Sequence, residues 1–489
     1  MIIDLLDRPR LPLGECDVCV LGAGPAGITL ALTLAARRPD WQVVLAEAGG
    51  EALSTPEEND SYRPASDDPG TYPITATRLR LLGGTSNHWG GWSRPLDAEI
   101  FQPRPWMECD GWPIPYEALV PYYGSAATWC EIGATGYDAD AHLDGSGSTL
   151  LDVADSPLLC HRLFRFSPPT RFGQRYRTEL ESTPNLQCWL NATATGLDLG
   201  DGQVREVEIA HRAGLRARLR ARHFIVAMGG IENARFLLAQ QKQAPAGSGL
   251  ASPALGRYFG DHLDFLPAIA LLPGRLDYGR RAHETGPVMP VLGLRPQAQR
   301  ELGLPNCSLT LVPIDEPQVL PSRYGRNRAF GLRGEDYWWY RLQVVLEPQP
   351  NPDSRILLSS ERDALGVPRV RVDWRMHGRD RERGERLMDA LVRDLGSRRQ
   401  GRLLLHPPAS AFERAPTFVA HHMGSTRMGM EPGNSVVDAD CRVHGVENLY
   451  IAGSSVFPAY GFSNPTLTIV ALAMRQADYL VSELKAGGL

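Results

Sequence analysis

Residues 17–27 read Asp17-Val-Cys-Val-Leu-Gly-Ala-Gly-Pro-Ala-Gly27, residues 28–38 are rich in Ala and Leu, and Trp41 to Ala46 runs into Glu47. Asp17 to Leu21 is predicted to be a short buried strand. Gly22 to Gly27 is a G-x-G-x-x-G turn, Ile28 to Arg38 a helix, and Trp41 to Ala46 a second strand. This is the order of a dinucleotide-binding unit. Gly22 permits the tight turn, Gly24 lets the backbone approach a pyrophosphate, and Gly27 lets helix and strand pack closely. The helix opened by Pro25 and Ala26 offers unpaired N–H groups and a partial positive charge to phosphates. Glu47, next to Ala48, lies 25 residues after Gly22 and can accept hydrogen bonds from ribose hydroxyls. Its charge would repel the extra phosphate of NADP. A glycine turn alone would be weak evidence. With strand, helix and acid in register it predicts a dinucleotide site.

Working outward, the 489 residues are 43% hydrophobic and 22% charged, with a net charge of -5. That composition suits a globular chain of two or three domains or one interwoven fold. No basic run marks a nucleic-acid footprint, so that partner class is set aside. Of 51 basic residues only Lys242 and Lys485 are lysines, a bias that suggests a GC-rich, bacterial source. Apolar stretches such as Val18 to Leu21 and Ile469 to Met474 fall short of the roughly 20 residues of a spanning helix. Asp4, Asp7 and Arg8 interrupt the start where a signal peptide needs a clean apolar core. A cytoplasmic protein without its own membrane anchor is expected. Cys16 and Cys19 have CxxC spacing but lie in or beside the first predicted strand, so structural thiols rather than a metal site are expected.

A second glycine loop, Leu79 to Trp92, reads Leu-Arg-Leu-Leu-Gly-Gly-Thr-Ser-Asn-His-Trp-Gly-Gly-Trp. Its glycines and hydroxyls describe backbone lying against a flat or charged ligand. The segment resembles the flavin-contacting loop of the glucose–methanol–choline (GMC) oxidoreductase family. The resemblance implies FAD as cofactor and puts Gly83, Gly84, Thr85, Asn87, His88, Trp89 and Gly90 beside it. The His88-Trp89 pair is similar to the pyranose oxidase branch, which implies a covalent bond from His88 to the flavin; the alternative is a histidine that packs beside it.

Further on, Pro103 to Tyr123 is dense in Pro and aromatics, an ordered segment expected over the site. Trp106, Trp112 and Tyr116 are available to stack on a sugar face, although packing is the commoner use of such residues. Short strands follow over Asn185 to Arg222, with Ala194 among the cofactor contacts. His223 to Arg235 reads as strand, Gly-Gly turn and helix start. It resembles the family's second phosphate-side crossover and puts Ala227, Gly229 and Asn233 at the cofactor. Gly256-Arg-Tyr-Phe-Gly-Asp-His262 looks like the family's Gly-Arg-Asn-x-x-Asp-His turn. Between Leu263 and Arg414 the motif signal fades. Tyr340 to Leu346 and Arg355 to Leu358 look like strands, Asp380 to Leu395 has helical spacing, and Ser322 to Gly334 reads as a mobile loop.

The C-terminal stretch carries the chemistry. His421-His-Met-Gly-Ser-Thr-Arg-Met-Gly429 precedes a strand that closes on Gly453-Ser454-Ser455, and Gly461-Phe-Ser-Asn-Pro-Thr466 opens a long apolar helix. Ser463 or Asn464 is a good N-cap with Pro465 at the first helical position. The helix end bearing Pro465 and Thr466 can face the flavin's pyrimidine edge. The order is similar to the GMC signature region, and Asn-Pro-Thr occurs in the pyranose and fructose oxidoreductase branch. There a His three positions before the glycine motif faces a second His or Asn at the last helix. His421 and Asn464, 43 residues apart, hold those places. His421 can take a hydroxyl proton, and Asn464 can donate a hydrogen bond to the developing alkoxide. His422 is the neighbouring candidate, but on an extended segment the two rings point apart.

The expected fold is α/β (α+β overall): a discontinuous Rossmann-like FAD-binding domain with a substrate domain built on an antiparallel sheet flanked by helices. Residues 1–100, 185–262 and 415–489 form the first, 101–184 a lid or substrate-domain segment, and 263–414 the substrate domain. The expected activity is oxidation of an alcohol on a small polar substrate such as a sugar, glycoside, cyclitol or aminoglycoside-like compound. Oxygen or another carrier accepts the electrons, no metal takes part, and an oligomer is open. A flavin-dependent lyase is the alternative, and a flavin-binding structural subunit of a membrane dehydrogenase a third reading.

Overall fold

The computed structural model describes residues 1–486 except 56–58, 134–135, 138, 140–148, 245, 316–336 and 406–416. The expected mobile loop over Ser322 to Gly334 lies outside the described residues.

The first sheet grows from the glycine-rich start. In β2 (Glu15–Leu21), Val18, Cys19, Val20 and Leu21 are all buried, as in a strand covered on both faces. It runs parallel to β3 (Val43–Ala46) on one side, Leu21 opposite Ala46, and to β9 (Arg216–Val226) on the other, Leu21 opposite Val226. Beyond β3 lie β6 (Leu186–Leu190) and β1 (Ile2–Asp4). The far half of β9 pairs in parallel with β17 (Leu449–Ile451), and its near half antiparallel with β8 (Gln203–Ala210), which pairs with β7 (Thr193–Gly200). The resulting eight-stranded sheet draws on the beginning, middle and end of the chain. Because β3 and β9 flank β2 on opposite sides, a crevice opens at the carboxyl end of β2. Helix α1 (Pro25–Arg37) is apolar nearly all round, with Ala26 to Ala35 buried, as a helix enclosed by protein should be. It packs against α5 (Thr466–Ala486), which also meets α2 (Val120–Trp129).

The second sheet is seven-stranded and antiparallel, in the order β16 (Arg402–Leu405), β10 (Leu263–Pro273), β13 (Tyr337–Leu346), β12 (Cys307–Ile314), β11 (Val288–Leu294), β5 (Leu159–Phe166) and β4 (Trp92–Ser93). Strand alternation gives it two faces. Leu263, Phe265, Leu309, Leu311, Leu342 and Val344 join the core that Leu387, Met388, Leu391 and Leu395 of α4 (Gly378–Ser397) complete. Asp264 and Ser308 stand opposite Val345, and Thr310 opposite Gln343, so these side chains share the other face. A hairpin of β14 (Arg355–Arg362) and β15 (Pro368–Asp373) and helix α3 (Glu232–Gln240) close the side of the molecule.

Several elements differ in detail from expectation. Trp106 donates to the Leu304 carbonyl, Trp112 to that of Ala459, and Tyr116 packs edge-on against Phe101. None of the three lines the cavity described below, so the Pro-rich segment uses its aromatics for packing. Pro465 accepts the first bond of α5, from Ile469 N–H, and so sits at the cap itself. Ser463 donates to the Pro95 carbonyl instead. Cys16 and Cys19 are buried in β2, and burial pushes the Cys16 thiol up to about 12. Among the described residues no helix is long and apolar enough to cross a membrane.

Candidate active site

A cavity of about 680 Å³ extends from the crevice at the end of β2 to the polar face of the second sheet. At the crevice its wall is main chain. Gly22 has φ +109°, and a Cβ there would stand 2.5 Å from the Ala227 carbonyl oxygen. A Cβ on Gly27 would meet the Gly22 oxygen at 1.8 Å, so that glycine serves helix–strand packing, behind the wall. Gly24 is different. Its φ of -79° suits any residue, and nothing lies within 4 Å of where its Cβ would be. No protein contact requires glycine there, and the bare backbone faces the cavity at the start of α1. Gly229 and Gly453 likewise have nothing within 4 Å of the missing Cβ. A dinucleotide pyrophosphate fits this cradle and the free N–H groups of Ala26 and its neighbours.

Pro25, Ala26, Glu47, Ala48, Ala194 and Ala227 line the same end. The Glu47 carboxylate, buried and raised from its usual range by that burial, accepts from Ala23 N–H at 2.9 Å and Gly49 N–H at 2.8 Å. It braces the glycine turn, with lone pairs left for a hydroxyl donor. Asn233 stands behind the wall: its carbonyl accepts from Met228 N–H at 2.7 Å, and its amide donates to Ala452 O and Ser455 Oγ. It ties the Met228 turn to the strand end at Ala452.

The second glycine loop rides on the first. Gly83 N–H donates to the Ala23 carbonyl, and a Cβ on Gly84 would come within 3.2 Å of Gly24 Cα. Gly84, Thr85, His88, Trp89 and Gly90 face the cavity. Gly83 and Asn87 do not; Gly83 packs on Gly173, and Asn87 donates to the Leu82 and Gly84 carbonyls, holding the loop closed. His88 is exposed on the cavity wall, and partial desolvation with Arg171 nearby lowers its pKa.

At the cavity's other end the chain brings His421 and Asn464 together, Asn464 Nδ2 lying 3.1 Å from His421 Nε2. Ser454, Pro465 and Thr466 line the wall beside them. Asp261 holds His421 in place: its carboxylate accepts from the main-chain N–H of Val419, Ala420 and His421 and from Tyr72 Oη–H. Burial pushes the Asp261 carboxyl up to about 6. On its other nitrogen His421 meets a third group, His262, with 2.8 Å between the two Nδ1 atoms and ring planes at 85°. Burial lowers His421 well below the usual histidine range and His262 to about 4. Both rings are therefore neutral near pH 7, and each carries one N–H.

The amide of Asn464 can only donate through Nδ2, so His421 Nε2 is the acceptor and its proton sits on Nδ1. That proton is given to His262 Nδ1, which leaves the His262 N–H on Nε2. His262 Nε2 is buried and has no hydrogen-bond partner among the described residues, although the nearby Gly461 and Tyr460 carbonyls favour the protonated ring. His422 turns the other way, its ring packed against those of Tyr72 and Phe259, with Nε2 buried and unpartnered.

Sequence reasoning named His421 and Asn464 but missed His262, although the Gly256–His262 turn had been singled out; its terminal histidine was the available signal. Asp264, Ser308, Thr310 and Gln343 also line the cavity. Their only sequence signal was a polar residue alternating with apolar ones in each strand.

A GMC oxidoreductase family model matches residues 350–473. The chain is 27% identical to a 6'''-hydroxyparomomycin C oxidase from Streptomyces lividus and 27% identical to a paromamine 6'-oxidase from Streptomyces fradiae. Each match spans 96% of this chain and 92% of the relative. In structure it is similar to a pyridoxine 4-oxidase from Mesorbium loti, with a TM-score of 0.60, 19% identity, and coverage of 96% of this chain and 99% of that one.

Proposed function

Because the chain belongs to the GMC oxidoreductase family, we propose that it is an FAD-dependent enzyme that oxidises an alcohol on a small polar substrate of carbohydrate type, a sugar, glycoside, cyclitol or aminoglycoside-like compound. The observation that carries this reading is the 3.1 Å contact between His421 Nε2 and Asn464 Nδ2 on the cavity wall.

In this reading the cradle of Gly22, Gly24, Pro25 and Ala26, the loop from Gly84 to Gly90, and Gly229 and Gly453 hold FAD, with His88 a covalent tether to it. Bound FAD supplies the hydride acceptor. The chain supplies the rest. An alcohol yields hydride readily only as its alkoxide, so the hydroxyl must lose its proton in step with the transfer. A substrate hydroxyl set between His421 Nε2 and Asn464 Nδ2 gives its proton to the imidazole and keeps a hydrogen bond from the amide as negative charge grows on oxygen. Burial keeps His421 neutral, in its base form, into mildly acidic solution. His262, by accepting the Nδ1 proton, keeps the free lone pair on the nitrogen that faces the substrate.

Residues 1–100, 185–262 and 415–489 are the FAD-binding parts of this scheme, 101–184 the segment over the site, and 263–414 the substrate side. Electrons pass on to oxygen or another carrier, and the enzyme works in a bacterial cytoplasm. His421→Ala tests the assignment. Removal of a general base is expected to slow anaerobic flavin bleaching by polyols on the order of 10²–10⁴-fold at normal flavin content. Full turnover in that variant would end the proposal.

A further inference from the structure

The substrate end of the cavity has a wall whose chemistry the alcohol-oxidising pair does not use. Asp264 follows His262 by two residues in the chain, and both line the cavity. Both oxygens of its carboxylate accept from one donor, Gln343 Nε2, at 3.0 and 2.9 Å. Among the described residues Asp264 has no cationic partner. Ser308, only 6% exposed, lines the cavity, and among the described residues its hydroxyl has no hydrogen-bond partner; Thr310 lies in the next row of the same face. The hydroxyl is open to whatever occupies the cavity.

The charge on this wall is one-sided. The histidines nearby are neutral at pH 7. The arginines that line the cavity are committed elsewhere: Arg78 pairs with Glu232, Arg235 with Glu232 and Asp363, and Arg80 donates to Thr193. Burial also raises the Asp264 carboxyl above its usual range, a cost that a cation beside it removes. A wall of one carboxylate and open hydroxyls accepts hydrogen bonds more than it donates them. It would repel a phosphate or carboxylate on the substrate, and it matches a donor-rich group of positive charge.

We propose that Asp264, with Gln343, Ser308 and Thr310, is the recognition site for an ammonium group on the substrate, so that the enzyme prefers an amine-bearing polyol to its neutral counterpart. The inference rests on the alcohol-oxidation reading above and narrows it. Ser308 and Thr310 take the ring hydroxyls next to the amine, and the ammonium stands against the Asp264 carboxylate while the reacting hydroxyl meets His421.

The test is anaerobic flavin bleaching of the holoenzyme with matched probes: glucosamine against glucose, and 2-deoxystreptamine against myo-inositol, at a pH where the amines are protonated. The amine-bearing member of a pair is expected to show at least a tenfold higher kcat/KM, most of it in KM. Asp264→Asn, which keeps the size of the side chain, is expected to cut kcat/KM for the amine 10–100-fold, a loss at least ten times that for the neutral partner. Wild-type preference for the neutral members, or equal losses for both members in Asp264→Asn, overturns the ammonium site and leaves alcohol oxidation standing. Bleaching by no member of the panel counts against the oxidation reading itself. The wild-type ratio decides the matter if the variant does not fold.

Discussion

The sharpest consequence of the His421–His262 contact concerns a residue that acts through another. Replacing His262 by Ala removes the acceptor for the His421 Nδ1 proton, now 2.8 Å away. Leaving a buried donor unpaired costs about 1–3 kcal/mol. The variant can recover that energy by moving the proton to Nε2, which abolishes the base, or by letting water into the gap. If the whole cost falls on the reactive tautomer, kcat drops by roughly 10–100-fold, since each tenfold is about 1.36 kcal/mol. KM should move far less than kcat, because His262 acts through His421.

The pH profile separates positioning from mere support. The titratable groups that act on the His421 and His262 rings are each other, His422 and Glu347, and Asp261, pushed up to about 6, accepts from the His421 main-chain N–H. Burial holds His421 well below its ordinary value, so the acid limb of kcat/KM lies below 6.5 in the wild type. Water admitted by His262→Ala weakens the desolvation, and the acid limb should move up towards 6.5. His262→Gln keeps a carbonyl that can accept the Nδ1 proton and should restore most of kcat. The measurement is single-turnover flavin reduction across pH 4–9 on variants of matched flavin content. A kcat within twofold of wild type in His262→Ala, or equal impairment in Ala and Gln, would refute the tautomer argument.

The remaining predictions address the cofactor cradle and acid stability. Gly24→Val places a side chain in the open space above α1 at a φ that valine tolerates; the protein should purify folded, melting within a few degrees of flavin-free wild type, but without yellow colour, and full flavin content would count against the cradle. For His88, acid precipitation of the wild type should carry the yellow colour into the pellet, and His88→Ala should release it to the supernatant; colour wholly in the wild-type supernatant rejects the tether. His422 is lowered to about 3 by burial, with Arg78 and His88 adding, whereas in the unfolded chain it titrates near 6.5. The unfolded state therefore binds the proton first, and this histidine's contribution is lost as pH falls from about 6.5 towards 3. His422→Phe removes that linkage, so its melting temperature should gain on wild type steadily over that range; a constant difference would contradict it.

How much of this could be read in advance depended on whether a residue acts through its local motif or through register. The crevice was legible because a glycine turn, a helix start and an acid fall within 31 residues and obey short-range rules. Even there the motif did not separate glycines that face a ligand from those that face protein. Gly24 and Gly27 are three apart, yet one looks onto open space and the other would strike the Gly22 carbonyl at 1.8 Å. Asn87 and Asn233 sit within the right motifs but spend their amides on main-chain carbonyls and, at Asn233, on Ser455 as well.

The second sheet shows the opposite case. Asp264, Ser308 and Gln343 belong to strands scattered over 80 residues, and only the pairing of β10 and β12 with β13 sets them side by side. No single segment carries that information, since a one-residue slip in register would turn Asp264 into the core and Leu263 towards the cavity. The leucines of the opposite face forbid the slip, because they must meet α4. The apolar face thus determines where the polar one points. The packing that stabilises this side of the molecule is also what aims a carboxylate into the cavity.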